Sequence, residues 1–319
     1  MAGRSIRLIG FVCSLIVCSN EAAQAQENNA ALHDCLRPPT SEPEIEAKLK
    51  SCSTVIVRQG QDPESLALAL SSRAWIELSR GDPPKALADF DSALALNLNL
   101  DAAVVGRAIT FLNLGQSERA LPDFEIALHP SAPKLYVGRG DAFNNLKKYD
   151  QGIADFDYAL ALDPKDDEAL NDRATALLAK GQYAEAIRGF DDALELATSR
   201  RALVLGNRCH AKVMAGEVDG AFADCDASLR LEPGNADRLA GRGFINLKGE
   251  RFAAAIADYG AALAVNPKDP FALYGRGVAR LRLGQTAAGH ADIVAAEQIQ
   301  PDERELMLKL GISIPTLHN

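Results

Sequence analysis

Small and large apolar residues recur along most of the chain in one fixed register. Each unit begins with arginine followed by glycine or alanine, continues through a short turn, and reads A-x-x-D-[FY]-x-x-A-L, often followed by D-P or N-P. Apolar positions at helical spacing on both sides of a turn predict two packed helices. The pattern therefore predicts an all-α chain of helical hairpins.

The repeat length identifies the kind of hairpin. Seven turn positions are equivalent, and their spacings are 34, 32, 34, 35, 34 and 34: Pro83, Ser117, Tyr149, Tyr183, Val218, Phe252 and Thr286. With two helices per unit, this period resembles the tetratricopeptide repeat family from about Ala67 to Glu303. The resemblance implies a right-handed superhelical solenoid of about seven hairpins with N- and C-terminal capping helices.

The residues that match the family are its packing positions. The first helix carries a small residue at Ala74, Ala108, Gly140, Ala174, Cys209, Gly243 and Gly277. The second helix carries a large one at Phe90, Phe124, Phe156, Phe190, Cys225, Tyr259 and Ile293. Small residues let two helices approach, and the large residue fills the seam to the next hairpin. Because one hairpin buries too little alone, the units must stack.

Four segments follow from this register. We predict a cleaved signal peptide over 1–25, an N-terminal cap over 26–66, seven repeats over 67–303, and a capping helix and tail over 304–319. The signal peptide rests on Arg4, Arg7, an apolar run and an A-x-A site ending at Ala25. It implies a periplasmic or secreted protein. A retained anchor and lipidation of Cys18 are the alternatives.

Helix punctuation agrees with the segments. Prolines follow several second helices, and Asp82, Asp167 and Asp269 are predicted to cap helices that begin after them. Pro122 is the misfit, because it lies inside a predicted second helix, where proline removes an N–H and bends the helix.

Charge excludes one class of partner. The net charge is −9, with 34 lysines and arginines against 43 acidic residues, and no basic cluster interrupts this balance. Nucleic-acid-binding domains normally carry a basic stripe, so we predict no nucleic-acid partner. No later segment is apolar and long enough to span a membrane, so no integral segment is expected after signal removal.

Arginine and aspartate recur at positions that face each other in an antiparallel hairpin. The predicted pairs form a ladder: Arg73–Asp89, Arg107–Asp123, Arg139–Asp155, Arg208–Asp224, Arg242–Asp258 and Arg276–Asp292. Gly189 interrupts the series. The family places leucine and an aromatic residue at these positions, so an ionic pair replaces an apolar one. Bidentate pairing is the structural interpretation; a row of arginines that binds phosphate or carboxylate is the functional alternative.

Four cysteines remain after signal removal. Cys209 and Cys225 take facing positions of one hairpin, and Cys35 and Cys52 have nearly the same spacing. An even number of cysteines in an exported chain predicts two disulfides. Buried free cysteines are the alternative.

The sequence offers no motif for catalysis or for a cofactor. The histidines share no helical face, no serine sits in a nucleophile elbow, there is no Walker loop, and no cysteine pair has metal-ligand spacing. We therefore predict a non-enzymatic protein without cofactor or metal.

The family resemblance implies that first helices line a concave groove, with the residue after each small residue facing inward. Those residues are Trp75, Ile109, Asp141, Thr175, His210, Phe244 and Val278, with Tyr274 as a further apolar anchor. Inter-repeat packing is the alternative role for each of them. The clamp that grips carboxylate tails in some members is not expected, because only Asn207 partly fits it. We predict an adaptor that binds a protein or peptide in the cell envelope; the alternative is a self-associating module, a homo-oligomer.

Overall fold

A computed structural model describes residues 30–57 and 62–314, and in these ranges every regular element is an α-helix. The signal segment, including Cys18, lies outside the described residues. A short helix, α1 (Ala30–Leu36), and a longer one, α2 (Glu42–Val57), come first. Hairpins then follow without interruption, and α3 already begins at Pro63, before the predicted first repeat.

The chain divides into two compact units at Asp163–Pro164. The first unit continues with α3 (Pro63–Ser79), α4 (Pro83–Leu96), α5 (Asp101–Asn113), α6 (Ser117–Ala127), α7 (Pro133–Asn145) and α8 (Tyr149–Leu162). The second has α9 (Asp167–Ala179), α10 (Tyr183–Leu196), α11 (Arg201–Ala215), α12 (Val218–Leu231), α13 (Ala236–Lys248), α14 (Phe252–Val265), α15 (Pro270–Arg282), α16 (Thr286–Ile299) and α17 (Glu303–Lys309). Within each unit, helices pack against their neighbours in chain order. The predicted class, stacked helical hairpins with helices before and after them, is confirmed.

The large residue of each second helix fills the seam to the next hairpin. Phe90, Phe124 and Tyr259 are buried, and their rings lie against glycines of the following first helix: Gly106, Gly138 and Gly275 respectively. A Cβ at Gly138 would lie 2.7 Å from the Phe124 ring, so glycine is required for this approach. Ring and glycine together set how closely successive hairpins stack within a unit.

The turns inside the hairpins need one residue in the left-handed region. Glycine supplies it in five hairpins, but Lys147 (φ 58°) and Glu250 (φ 57°) occupy the same position in the other two. Side chains beyond glycine adopt this conformation at a cost of roughly 1–2 kcal/mol. These two turns are therefore strained relative to their equivalents.

One detail of helix punctuation differs from expectation. Asp166, and not Asp167, is the N-cap of α9, because its extended backbone lets its carboxylate accept from Glu168 N at 3.1 Å and Ala169 N at 3.3 Å. Pro122 lies within α6, which nevertheless runs unbroken over Ser117–Ala127. At 11 residues α6 is shorter than α4, which has 14.

Candidate partner-binding face

The arginine–aspartate pairs join the two helices of each hairpin. In all six predicted pairs the guanidinium donates from Nε and Nη2 to both carboxylate oxygens, over distances of 2.5–3.0 Å. The aspartates are buried. Hydrogen bonds to Asp258 raise the pKa of the Arg242 guanidinium, and Asp89 does the same for Arg73. The geometry is that of a fork-to-fork ion pair.

Three of these arginines also join neighbouring hairpins. Their remaining nitrogen, Nη1, donates to an aspartate on the second helix of the preceding hairpin, from Arg107 to Asp91 (3.1 Å), Arg208 to Asp191 (2.6 Å) and Arg242 to Asp226 (3.1 Å). Because these donors are engaged within the chain, the contacts favour a structural role over anion binding.

A third donor on the aspartates was not predicted. Four residues after the arginine, Lys212 Nζ reaches Asp224 at 2.8 Å, Asn246 Nδ2 reaches Asp258 at 2.8 Å, and Arg280 Nη1 reaches Asp292 at 2.6 Å. The signal in the sequence is a polar residue one helical turn beyond the arginine, on the same face. In the first unit Glu77, Phe111 and Phe143 take that position.

Both predicted cysteine pairs lie at disulfide distance. The sulfurs of Cys35 and Cys52 are 2.12 Å apart and join α1 to α2, and those of Cys209 and Cys225 are 2.00 Å apart and join α11 to α12. All four residues are buried. Each pair therefore closes one antiparallel hairpin.

Half of the predicted groove residues are core residues, which corrects the expectation that they face a partner. Trp75, Phe244, Tyr274 and Val278 are at most 8% exposed. The Trp75 indole donates from Nε1 to Ala102 O at 3.1 Å and packs edge-on against Phe90. The Trp75 side chain therefore packs against the next hairpin and not against a partner.

The other predicted groove residues are accessible. Ile109 and Asp141 in the first unit are half-buried, whereas Thr175 and His210 in the second are exposed. Surrounding protein desolvates the imidazole and lowers the pKa of His210, while the negative charge of Asp237 acts in the opposite direction. Among the predicted groove residues, Thr175 on α9 and His210 on α11 are thus the two that are exposed.

Polar groups surround this pair. Thr175 Oγ1 donates to Asn171 O at 2.9 Å, and Asn207 Nδ2 donates to Asn171 Oδ1 at 3.0 Å, which links α9 to α11. Asp237 lies in the first turn of the next first helix, α13. We call Asn171, Thr175, Asn207, His210 and Asp237 the polar patch. Sequence analysis placed Thr175 and His210 on this face and noted Asn207 only as a partial match to the clamp; the pairing of Asn207 with Asn171 was not predicted.

No group of three or more histidine, cysteine or acidic side chains lies in metal-binding geometry within residues 30–57 and 62–314. None of the helices α1–α17 is long and apolar enough to cross a membrane.

Comparison with known proteins assigns the family. Tetratricopeptide repeat models match residues 71–134, 105–167, 156–188 and 246–304, which together exceed half of the chain. The chain belongs to the tetratricopeptide repeat family. A search of curated proteins found no match.

Solved structures share the fold at low identity. The hetero-tetramer Cut9–Hcn1 of APC/C matches with a TM-score of 0.64 and 18% identity over 76% of this chain, which spans about half (49%) of that one. A tetratricopeptide repeat protein from Parabacteroides merdae matches with a TM-score of 0.59 and 20% identity, over 80% of this chain and 93% of that one. PilW, a type IV pilus biogenesis factor, matches with a TM-score of 0.58 and 19% identity, over 66% of this chain and 99% of that one.

Proposed function

We propose that this protein is a non-enzymatic adaptor of the cell envelope that binds a peptide segment or protein on the first-helix face of its second unit. Tetratricopeptide repeat proteins commonly serve as scaffolds for protein–protein interaction, which supports the general role. The exposure of Thr175 and His210 beside the Asn171–Asn207 hydrogen bond carries the particular site.

The polar patch fits a segment of extended backbone. Asparagine, threonine and histidine side chains donate and accept hydrogen bonds, so they match both the N–H and C=O groups that an extended peptide leaves unpaired. Asp237 adds one negative charge at the edge of the patch. A partner segment with a basic residue near its bound portion fits that charge best.

Export supports the cellular location. The N-terminal segment has the pattern of a secretory signal, and two cysteine pairs at disulfide distance suit an oxidising compartment. PilW, a fold relative, is by its description a pilus biogenesis factor. The proposed compartment is the periplasm or the cell exterior.

Photo-crosslinking in cells tests the site. A photoreactive residue is placed at Thr175 or His210, with Asp192, exposed on the second helix α10, as the matched control. A discrete foreign protein captured from Thr175 and His210 but not from Asp192 supports the proposal. Capture from Asp192 alone, or only of the protein itself, contradicts it.

One observation favours self-association as a second candidate. The ends of four successive second helices carry apolar residues that are 36–59% exposed, at the equivalent positions Leu196, Leu231, Val265 and Ile299. A row of exposed apolar side chains is typical of an interaction surface. Light scattering over a range of concentrations tests it. Self-association would be supported by an oligomer of the wild type that becomes a monomer in the variant Leu231→Ser/Val265→Ser. A wild-type monomer at every concentration would exclude it.

A further inference from the structure

The chain turns back on itself after the last helix. Gly311 has φ +76°, its N–H donates to Leu308 O at 2.9 Å, and Ile312 N donates to Met307 O at 2.8 Å. These bonds end α17 and reverse the chain. Lys248, the last residue of α13, then donates from Nζ to Leu310 O at 3.1 Å. Residues 310–314, here called the C-terminal segment, therefore lie against the first-helix face rather than continuing the stack.

Side chains of the C-terminal segment alternate between that face and solvent after the turn at Gly311. Burial alternates along it: Ile312 is 6% exposed and Ile314 half-buried, whereas Gly311 and Ser313 are exposed. An extended chain points successive side chains to opposite sides. Ile312 belongs to the buried cluster that contains Phe244 and Val278, and Ile314 packs against that cluster.

The surface under the segment differs from its equivalents in the same unit. One position after the small residue, Thr175 and His210 are exposed, whereas Phe244 and Val278 are buried. The next inward position, one turn further along each first helix, repeats this contrast. It is half-buried at Leu178 and Val213 but buried at Leu247 and Leu281. At these positions the first-helix face is thus more accessible on α9 and α11, and apolar and buried on α13 and α15.

We propose that the C-terminal segment is an intramolecular occupant of a second peptide site, formed by α13 and α15. The site takes an extended segment of a partner protein with aliphatic side chains at positions i and i+2. Those side chains occupy the places of Ile312 and Ile314. The Lys248 ammonium donates to a backbone carbonyl of the segment, a group that every peptide offers. This proposal rests on the proposed function, since it places an apolar site next to the polar patch on the same face.

Intramolecular occupancy sets the size of the expected effect. The segment is tethered directly to the end of α17, so its effective concentration is at least on the order of 1 mM. If the free peptide binds with a Kd of about 0.1 mM, the segment fills its own site about nine-tenths of the time. Release of the segment then strengthens the binding of an added peptide about tenfold.

A binding assay on the full chain tests the proposal. The probe is a fluorescein-labelled peptide with the sequence LGISI, followed by fluorescence anisotropy, and a peptide with serine at both isoleucines is its control. Ile312→Ser/Ile314→Ser removes the occupant. Leu308→Ser is the matched control, because Leu308 is also aliphatic but 54% exposed on α17.

The proposal predicts that Ile312→Ser/Ile314→Ser binds LGISI about tenfold more tightly than the wild type or Leu308→Ser. Lys248→Met in the released protein should weaken that binding, because it removes the donor to the backbone carbonyl of the peptide, and the serine peptide should not bind. A released protein that keeps its helical circular dichroism yet does not bind LGISI would overturn the proposal, because the segment would then be a structural cap.

A second measurement leaves the segment intact, in case the double variant does not fold. A fluorophore is attached at Ser313→Cys, an exposed position. Saturating LGISI should displace the segment and lower the anisotropy of the label, whereas the serine peptide should not. Unchanged anisotropy at saturating peptide would count against displacement.

Crosslinking from Thr175 and His210 does not depend on residues 310–314, so a failure of the polar patch and a failure of this site give different results.

Discussion

Exchange of one ionic pair for the apolar pair of other family members tests the role of the ladder. Arg242 and Asp258 suit the test, since their side chains are 26% and 10% exposed and they share two hydrogen bonds of 3.0 and 2.7 Å. Arg242→Leu leaves the buried Asp258 carboxylate with Asn246 as its remaining donor among the described contacts. Arg242→Leu/Asp258→Tyr restores the leucine and aromatic residue of the family pattern.

The magnitude follows from burial. Removing one partner of a fully buried ion pair costs about 3–5 kcal/mol, and an exposed pair contributes about 0–1 kcal/mol. For this partly exposed pair we expect Arg242→Leu to lower the free energy of unfolding by about 2 kcal/mol. The double variant should lie within about 1 kcal/mol of the wild type, because apolar replacement of both partners leaves no buried charge unpaired.

Urea denaturation followed by helical circular dichroism measures the effect. With an m-value of about 3 kcal/mol/M, Arg242→Leu should lower the midpoint by about 0.7 M. Arg188→Leu is the control, since Arg188 is 68% exposed and pairs with Glu185 across one helix turn at 4.0 Å. The reasoning fails if Arg242→Leu costs no more than Arg188→Leu, or if the double variant is less stable than Arg242→Leu.

Three further predictions concern bonds, turns and titration. Without reductant, intact-mass analysis with alkylation should find no free thiol at Cys209 or Cys225, and alkylation of both cysteines in the native protein would refute the disulfide. The variant Cys209→Ala/Cys225→Ala should lose roughly 3 kcal/mol of stability. Lys147→Gly and Glu250→Gly should each raise the free energy of unfolding by about 1 kcal/mol, because glycine removes the strain of a left-handed backbone conformation in the turn. A lower free energy of unfolding in either variant would contradict this interpretation. Because its folded pKa is lowered, the His210 imidazole should titrate below the ordinary histidine pKa of about 6.5 in an NMR experiment, and stability should fall as the pH drops through the unfolded pKa. Replacement by glutamine should remove that part of the pH dependence; a titration at or above the ordinary histidine pKa would exclude the desolvated environment.

The repeat register in the sequence was enough to predict the side-chain pairs that depend on the geometry of a single hairpin. Arg242 and Asp258 face each other because the turn between α13 and α14 fixes which positions are opposite, and the same holds for Cys209 and Cys225. These relations repeat with the period, so a single sequence reveals them.

The repeat register did not predict which residues of the first-helix face are buried, because burial depends on packing between hairpins and on residues at the end of the chain. Phe244 and His210 hold the same register position, yet Phe244 lies in a cluster with Ile312 and His210 is exposed. The difference comes from the larger apolar side chain and from residues 310–314, which have no counterpart in the repeat. Which face of a repeat is covered is therefore a tertiary property.

Affinity for a partner captured from His210 tests the central claim most directly. Isothermal titration would compare the wild type with Asn207→Ala and His210→Ala, and with Asp192→Ala on α10. If the partner lies on the polar patch, each patch variant should weaken binding about tenfold, as loss of a well-placed interface side chain does, and Asp192→Ala should bind like the wild type. Undiminished affinity in both patch variants, with a loss in Asp192→Ala, would contradict the account and move the binding site to the second helices.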